Sequence, residues 1–174
     1  MEHSLWQFFV DHRPAWIVNL AKALGVVGDE SVLLPLTLLV AAWAVCRGRR
    51  TLSTLSPFAV MVGSFVAVGA LKTLVNRDRP PVMDRLVEVS TKSMPSGHAT
   101  YAAALATLVF LLLPAGPRQR LFRIPAVVLA VSAGVSRMVL GVHWAGDVAA
   151  GWLLGAGVSV GVVHLLRRRL QSVA

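Results

Sequence analysis

Three short polar patches interrupt an otherwise apolar chain, and they hold the residues whose types could do chemistry. The patches run from Lys72 to Pro80, from Pro95 to His98 and from Ser136 to Asp147. Between them they contain a lysine, arginines, two histidines and aspartates, the side chains used in acid–base catalysis and phosphoryl transfer. We expect any reaction to take place where these patches meet.

The third patch contains a possible nucleophile. His143 and Asp147 are four residues apart, so they share a helix face if the last apolar helix begins near His143. A carboxylate can then hold one imidazole nitrogen protonated and leave the other free to attack. An ordinary histidine–aspartate pair at a helix start is the alternative. Arg137 lies near the outer end of the preceding apolar run, where a charge is costly unless it is paired, functional or extended to the interface.

The second patch combines a helix start with a possible acid. Ser96 stands at the N-cap position of an apolar helix, and the amides of Gly97 and His98 would point toward an anion. Gly97 lets an anion approach the backbone closely, and His98 could donate a proton to a leaving oxygen. A merely capped helix is the alternative.

The first patch supplies positive charge. Lys72 is near the end of an apolar run and Arg79 lies seven residues further on, so two cations on separate elements could clamp a phosphoryl group. Interfacial anchoring of a helix end is the alternative for Lys72 and for Arg77. Because all these alternatives would have to coincide at one membrane face, the three patches together predict a phosphoryl-transfer site.

No metal or other cofactor is expected at this site. The sequence offers no carboxylate cluster and no set of histidine and cysteine ligands for Mg²⁺ or Zn²⁺. The lysine and arginines would stabilise the charge that a metal ion stabilises in other phosphoryl-transfer sites.

At these residues the chain resembles the type-2 phosphatidic acid phosphatase superfamily. The tripartite signature of that family, K-x6-R-P, P-S-G-H and S-R-x5-H-x3-D, is present at every fixed position from Lys72 to Asp147. Its eleven fixed residues make a specific signal, spread over a little under half of the chain. The resemblance implies a membrane helical bundle that acts as a metal-independent lipid phosphatase.

The resemblance also implies roles for individual residues. His143 would be the nucleophile that becomes a phosphohistidine, Asp147 would orient it, and His98 would be the acid that protonates the leaving oxygen. His98 would then act as the base for hydrolysis by water. The residues implied to bind the phosphoryl oxygens are Lys72, Arg79, Ser96, Gly97 and Arg137.

The motifs predict recognition of a phosphate group but do not identify the lipid that carries it. The expected partner is a lipid phosphate or pyrophosphate, and undecaprenyl pyrophosphate, which is recycled for peptidoglycan synthesis, is the first choice. Phosphatidylglycerol phosphate, phosphatidic acid and a polyprenyl-phosphosugar phosphate are the alternatives. Vanadium haloperoxidases share the signature, but the apolar runs argue against those soluble enzymes. A non-catalytic lipid-binding membrane protein is a further class, against which the intact histidine set argues.

The composition indicates that membrane helices position the patches. Hydrophobic residues make up 56% of the 174 residues and charged ones 14%, with a mean hydropathy of +0.68, whereas a soluble domain is about 25% charged. A spanning helix needs about 20 apolar residues. Five runs approach this length: Ser31 to Cys46, Thr51 to Asn76, Gly97 to Leu113, Leu121 to Leu140 and Trp144 to Leu166. We therefore predict an all-α integral membrane bundle of about five spans in a single domain, 1–174, with the transmembrane core at 29–170.

Residues 1–28 are predicted to lie outside this core. Trp16, Ile17, Leu20, Leu24 and Val27 recur at helical spacing, which is typical of an amphipathic helix in the membrane interface. A short helix packed on the bundle is the alternative. No cleaved signal peptide is expected, because the apolar run near the start is too short for one.

The distribution of arginines predicts orientation. With five spans, three clusters share one side, which the positive-inside rule makes cytoplasmic: Arg47, Arg49 and Arg50; Arg118, Arg120 and Arg123; and Arg167 to Arg169. We therefore expect a multi-pass plasma-membrane protein with its site on the outer or periplasmic side and its C-terminus in the cytoplasm. The net charge of +9 then reflects topology, and no nucleic-acid partner is expected.

The remaining polar residues carry no functional prediction. Cys46 is the single cysteine, so no internal disulfide can form. His3, His12 and His164 have no matched partner in the sequence and are expected at the surface or interface. The sequence does not indicate an oligomeric state.

Overall fold

The computed structural model describes residues 2–48, 51–113 and 116–171, except for the side chains of residues 44, 170 and 171. Arg49 and Arg50 of the first arginine cluster and the last three residues of the predicted domain therefore lie outside the described residues. Within these ranges the chain forms seven α-helices, one 3-10 turn and no strand, so the all-α prediction is confirmed. The helices are α1 (Glu2–Asp11), α2 (Ala15–Val27), α3 (Glu30–Cys46), α4 (Leu52–Val75), α5 (Gly97–Leu112), α6 (Pro117–Val139) and α7 (Ala145–Gln171), and the 3-10 turn is Val82–Asp84.

The five predicted apolar runs coincide with α3 to α7, but the helices differ in length. Helices α4, α6 and α7 are each long and apolar enough to cross a membrane. Helices α2 and α3 reach that length only together, with a bend of 42° between them, and α5 has 16 residues. The bundle is a membrane fold as predicted, while the count of five spans stays a prediction.

The N-terminal region contains two helices where the sequence indicated one. The predicted helix corresponds to α2, and α1 was not predicted. Helix α2 packs on α6 through Ile17 and Ala21, and Ala21 is 3% exposed. Trp16 on another face is 68% exposed. The contact with α6 matches the alternative of a short helix packed on the bundle, and its placement in a membrane interface stays a prediction.

Helices α5 and α7 approach each other closely because glycines line their contact. A Cβ atom at Gly151 would lie 2.7 Å from the Ser96 carbonyl oxygen, and one at Gly155 would overlap the Thr100 carbonyl oxygen. One turn further on, Ser159 Oγ donates to the Ala104 carbonyl at 2.8 Å. Small residues at four-residue spacing allow helix backbones to meet in this way. The contact holds the N-termini of α5 and α7 against each other.

All three polar patches meet at one end of the bundle. Helix α4 ends at this side, where Asn76 adopts a left-handed conformation with φ 50°. Helix α6 also ends here, and α5 and α7 begin here. The described arginines of the three clusters lie at the opposite helix ends, after α3, in the first turns of α6 and in the last turns of α7.

Backbone contacts hold the connections at the polar end. The Leu86 amide donates to the Leu140 carbonyl at 3.0 Å, which joins the α4–α5 connection to the end of α6. Arg13, between α1 and α2, donates from Nη1 to the Asp84 carbonyl at 2.8 Å and the Val139 carbonyl at 3.1 Å. The N-terminal helices are thereby attached to the same end of the bundle as the polar patches.

Candidate active site

The histidine–aspartate pair forms at the start of α7. His143 lies two residues before the helix and Asp147 lies in its first turn, and their side chains are buried. His143 Nδ1 is 3.4 Å from Asp147 Oδ2. The same carboxylate oxygen accepts the Trp144 amide at 2.9 Å, because an acidic residue in the first turn can reach back to the residue that precedes the helix. The two side chains face each other as expected, although His143 precedes the helix and does not lie on its face.

Ser93 contacts both residues of this pair, and the sequence did not predict it. Its buried hydroxyl donates a short hydrogen bond to Asp147 Oδ2 and lies 3.5 Å from His143 Nδ1. A lone serine in a connecting loop has no recognisable pattern, so only its position two residues before Pro95 could have drawn attention to it. Ser93 fixes the carboxylate that faces the imidazole.

The hydrogen bonds of His143 define its protonation. Arg79 Nη1 lies 3.0 Å from His143 Nε2. A guanidinium only donates, so Nε2 must be the unprotonated nitrogen and Nδ1 must carry the hydrogen that faces Asp147. Burial also lowers the pKa of His143, which favours the neutral ring. The lone pair of Nε2 therefore points toward Arg79 and accepts its hydrogen bond.

Arg79 and Lys72 are held by the backbone of the connecting loop. Arg79 donates from Nε to the Thr91 carbonyl at 2.7 Å and from Nη1 to the Val142 carbonyl at 2.8 Å. Lys72 Nζ donates to Thr91 Oγ1 at 3.0 Å and to the Lys92 carbonyl at 2.7 Å. Both cations are bound by neutral oxygens, and burial lowers the pKa of Arg79 to about 10. Their positive charge is therefore not cancelled by these contacts.

Arg137 is the most deeply buried of the three predicted phosphate-binding cations. It is 6% exposed, and its Nε has no hydrogen-bond partner among the described residues. A buried unpaired donor on a cation is costly, so a site of this kind favours an anion. A Cβ atom at Gly25 would lie 2.8 Å from Arg137 Nη1, which shows that α2 covers this guanidinium closely.

Ser96 and Gly97 start α5, although Ser96 does not act as a side-chain cap. Ser96 occupies the N-cap position that the sequence predicts, but its hydroxyl makes no capping bond and is buried without a partner among the described residues. Its amide donates to the Asp147 carbonyl at 3.0 Å. Ser96 therefore joins the starts of α5 and α7 through its backbone.

His98 is positioned by α2, a contact that the sequence did not predict. Its Nε2 is 2.9 Å from the Gly25 carbonyl and 3.8 Å from Asp29 Oδ2. Since the carbonyl only accepts, Nε2 carries a hydrogen and Nδ1 is the other nitrogen available for proton transfer. The N-terminal segment thus contributes directly to the surroundings of a predicted acid.

Arg77 is part of an ion-pair network. Its role is therefore more than the interfacial anchoring considered from the sequence. Its Nη1 donates to Asp147 Oδ1 at 2.9 Å and its Nη2 to Glu2 Oε2 at 2.6 Å. These ion pairs raise the pKa of Arg77, with the Glu2 hydrogen bond as the main cause. Neither Glu2 nor Arg77 was assigned to the site from the sequence.

One cavity of about 1190 Å³ connects most of the predicted site residues. Its lining includes Lys72, Arg79, Gly97, His98, Arg137 and His143, and Asp147 and Ser96 are buried beside it. Asp29, Glu30 and Glu88 also line the cavity. Among the described residues, no three histidine, cysteine or acidic side chains form a group suited to a metal ion. The arrangement can bind an anion between three cations and present Nε2 of His143 to it.

Comparison with known proteins gives a consistent family match. The PAP2 superfamily model matches residues 53–171. Phosphatidylglycerophosphatase B of Bacillus subtilis is 33% identical over 148 residues, which are 82% of this chain and 72% of that protein. The decaprenylphosphoryl-5-phosphoribose phosphatase of Mycobacterium tuberculosis is 34% identical over 152 residues, 84% of this chain and 78% of that protein.

A solved structure agrees with these relatives. The crystal structure of a transmembrane PAP2-type phosphatidylglycerolphosphate phosphatase from Bacillus subtilis is similar to this chain with a TM-score of 0.80 and 27% identity. The similarity covers 96% of this chain and 85% of that one.

Proposed function

Since the chain belongs to the PAP2 superfamily of membrane lipid phosphatases, we propose that it releases the terminal phosphate of a lipid through a phosphohistidine on His143. The observation that carries this proposal is the neutral, buried imidazole of His143, whose Nε2 faces a cavity lined by Lys72, Arg79 and Arg137. A nucleophile and three cations in one cavity support phosphoryl transfer.

In the first step, His143 Nε2 attacks phosphorus and an N–P bond forms as the P–O bond to the leaving group breaks. The substrate phosphate takes over the Arg79 donor that contacts Nε2 in the structure. Asp147 keeps Nδ1 protonated and stabilises the positive charge that the ring acquires. Lys72 and Arg137 bind the other phosphoryl oxygens, with the Gly97 amide at the start of α5.

His98 handles the proton in both steps of the proposed reaction. In the first step His98 acts as the imidazolium, with its Nε2–H held by the Gly25 carbonyl. It gives its Nδ1 proton to the oxygen of the leaving alcohol or phosphate and becomes neutral. It then takes a proton from the water that attacks the phosphohistidine, so that inorganic phosphate leaves and His143 returns to its neutral form. No step of this sequence uses a metal ion.

For the lipid, a phosphomonoester on a hydroxylated head group is favoured. The two relatives matched over most of this chain are named for phosphatidylglycerol phosphate and decaprenylphosphoryl-5-phosphoribose. Besides the three cations proposed to bind the phosphate, the cavity wall carries the carboxylates Asp29, Glu30 and Glu88 and a further cation, Arg85. Carboxylates accept hydrogen bonds from hydroxyl groups and repel a second phosphate. Undecaprenyl pyrophosphate, the first choice from the sequence, is the competing candidate.

The decisive experiment is phosphate release by purified protein in detergent with excess EDTA. Undecaprenyl pyrophosphate, phosphatidylglycerol phosphate, decaprenylphosphoryl-5-phosphoribose and phosphatidic acid are offered in parallel. We expect turnover in EDTA, inhibition by vanadate, and loss of about 10³-fold or more in His143→Ala, since the nucleophile is removed. His164→Ala, at the far end of α7, is the matched control.

Activity that survives in His143→Ala would refute the phosphohistidine. An absence of turnover on every lipid would instead favour a non-catalytic lipid-binding protein. Fastest turnover of undecaprenyl pyrophosphate would refute the preference for a hydroxylated head group and restore the first choice.

A further inference from the structure

Helix α1 places a carboxylate behind the histidine–aspartate pair. Glu2 Oε2 accepts from Arg77 Nη2 at 2.6 Å, and Glu2 Oε1 accepts from the Gly146 amide at 2.7 Å. Arg77 Nη1 in turn donates to Asp147 Oδ1 at 2.9 Å. Glu2 therefore contacts both the partner of Asp147 and the helix turn that carries Asp147.

The packing around Glu2 fits this contact. Trp6 of α1 is 2% exposed, and its ring centroid lies 5.6 Å from that of Trp144, the residue after His143. A Cβ atom at Gly146 would lie 2.7 Å from Glu2 Oε1, so the absence of a side chain there allows the carboxylate to approach. The hydrogen bond from Arg77 lowers the pKa of Glu2 and keeps it ionised.

We propose that Glu2 and Arg77 are positioning residues of the phosphatase reaction, which orient Asp147 and balance its charge from outside the cavity. The two oxygens of Asp147 have different partners: Oδ2 faces His143 and Ser93, and Oδ1 is bound by Arg77. Glu2 holds Arg77 in place and offsets its positive charge. Without Glu2, that charge would oppose the positive charge that His143 acquires when it is phosphorylated.

This proposal rests on the proposed function, and it predicts different effects on kcat and on KM. Neither Glu2 nor Arg77 lines the cavity, so they should affect the reaction of bound substrate more than its binding. A glutamine at position 2 can still accept from the Gly146 amide, so Glu2→Gln changes the contact with Arg77 alone. That change should add nothing once Arg77 is gone.

The test measures kcat and KM on phosphatidylglycerol phosphate, with activity normalised to the folded protein recovered by size-exclusion chromatography. In Glu2→Gln we expect kcat to fall about tenfold, which corresponds to one charge-assisted hydrogen bond, with KM nearly unchanged. The kcat of Arg77→Met should fall at least as far, and the kcat of the double variant should equal that of Arg77→Met alone. Asp11→Asn, an acid-to-amide change at the other end of α1, should match the wild type.

Several outcomes would overturn the proposal. One is a Glu2→Gln variant as active as Asp11→Asn, and another is a Glu2→Gln variant in which only KM changes. A third is a double variant whose fold-decrease in kcat is the product of the decreases in the two single variants. If Glu2→Gln does not fold, Gly146→Ala decides, since its Cβ displaces Glu2 without removing the charge and should also lower kcat. A wild type inactive on every lipid would refute the proposed function itself, whereas an active wild type with an unaffected Glu2→Gln refutes only this inference.

Discussion

At the scale of single residues, the protonation of His143 decides whether it can act. A histidine in water has a pKa of about 6.5, and a protonated imidazole has no lone pair for attack. Burial lowers the pKa of His143, while the guanidinium of Arg79 requires an unprotonated Nε2. The buried site therefore keeps the proposed nucleophile neutral under mildly acidic conditions.

This argument predicts that His143 does not titrate near neutral pH in the substrate-free protein. Because its pKa is lowered, the neutral form persists as the pH falls below about 6.5, the midpoint of an ordinary histidine. NMR of protein labelled at its imidazole nitrogens, recorded in detergent between about pH 5 and pH 8, should include a His143 signal with constant neutral shifts. The signal is assigned by its absence in His143→Ala. A His143 signal that titrates with a midpoint near 6.5 would contradict the prediction.

At the scale of helices, the contact between α5 and α7 determines whether the site assembles. His98 and Gly97 come from the start of α5, whereas His143 and Asp147 come from the start of α7. The two starts meet because Gly151 and Gly155 leave room for the α5 backbone. The catalytic arrangement therefore depends on residues that contain no functional group.

We expect Gly155→Ala to destabilise the protein. Its Cβ would overlap the Thr100 carbonyl oxygen, and a backbone atom cannot move aside as a flexible side chain can. Overpacking of this kind costs about 1–3 kcal/mol. Thermal unfolding in detergent should show a lower midpoint than the wild type. The control is Gly157→Ala on the same helix, where no atom beyond the neighbouring residues and local helix backbone lies within 4 Å of the added Cβ. An equal midpoint for the two variants would contradict the packing argument.

At the scale of the whole molecule, the arrangement separates the reactive end from the arginine end. The cavity lies where α4 and α6 end and α5 and α7 begin, and the described arginines of the three clusters lie at the other end. Under the positive-inside rule we propose that the cavity opens on the outer or periplasmic side of the plasma membrane, with the C-terminus in the cytoplasm.

Labelling of cysteines with a membrane-impermeant maleimide tests this orientation. Cys46 is exposed at the arginine end of α3, so in intact cells it should react only after permeabilisation. In a Cys46→Ser background, Met83→Cys should react without permeabilisation, because Met83 is 94% exposed in the loop beside the cavity. Cys46→Ser alone is the control. The reverse labelling pattern would invert the proposed topology.

The amino-acid sequence by itself determined the fold class, the five apolar runs and the candidate residues of the site. These follow from local properties, since hydropathy defines membrane helices and the spacing of His143 and Asp147 defines a shared face. The family signature added the likeness to lipid phosphatases, which the comparisons confirmed. The proposed roles of the individual residues stay to be tested.

Only the tertiary structure decided which residues support that site. Glu2 lies 75 positions from Arg77, Gly25 lies 73 positions from His98, and Ser93 lies 54 positions from Asp147. Contacts across such distances have no periodicity and no fixed spacing, because they depend on how whole helices pack. The sequence accordingly places residues 1–28 outside the transmembrane core, although packing brings α1 behind Asp147 and α2 against His98 and Arg137.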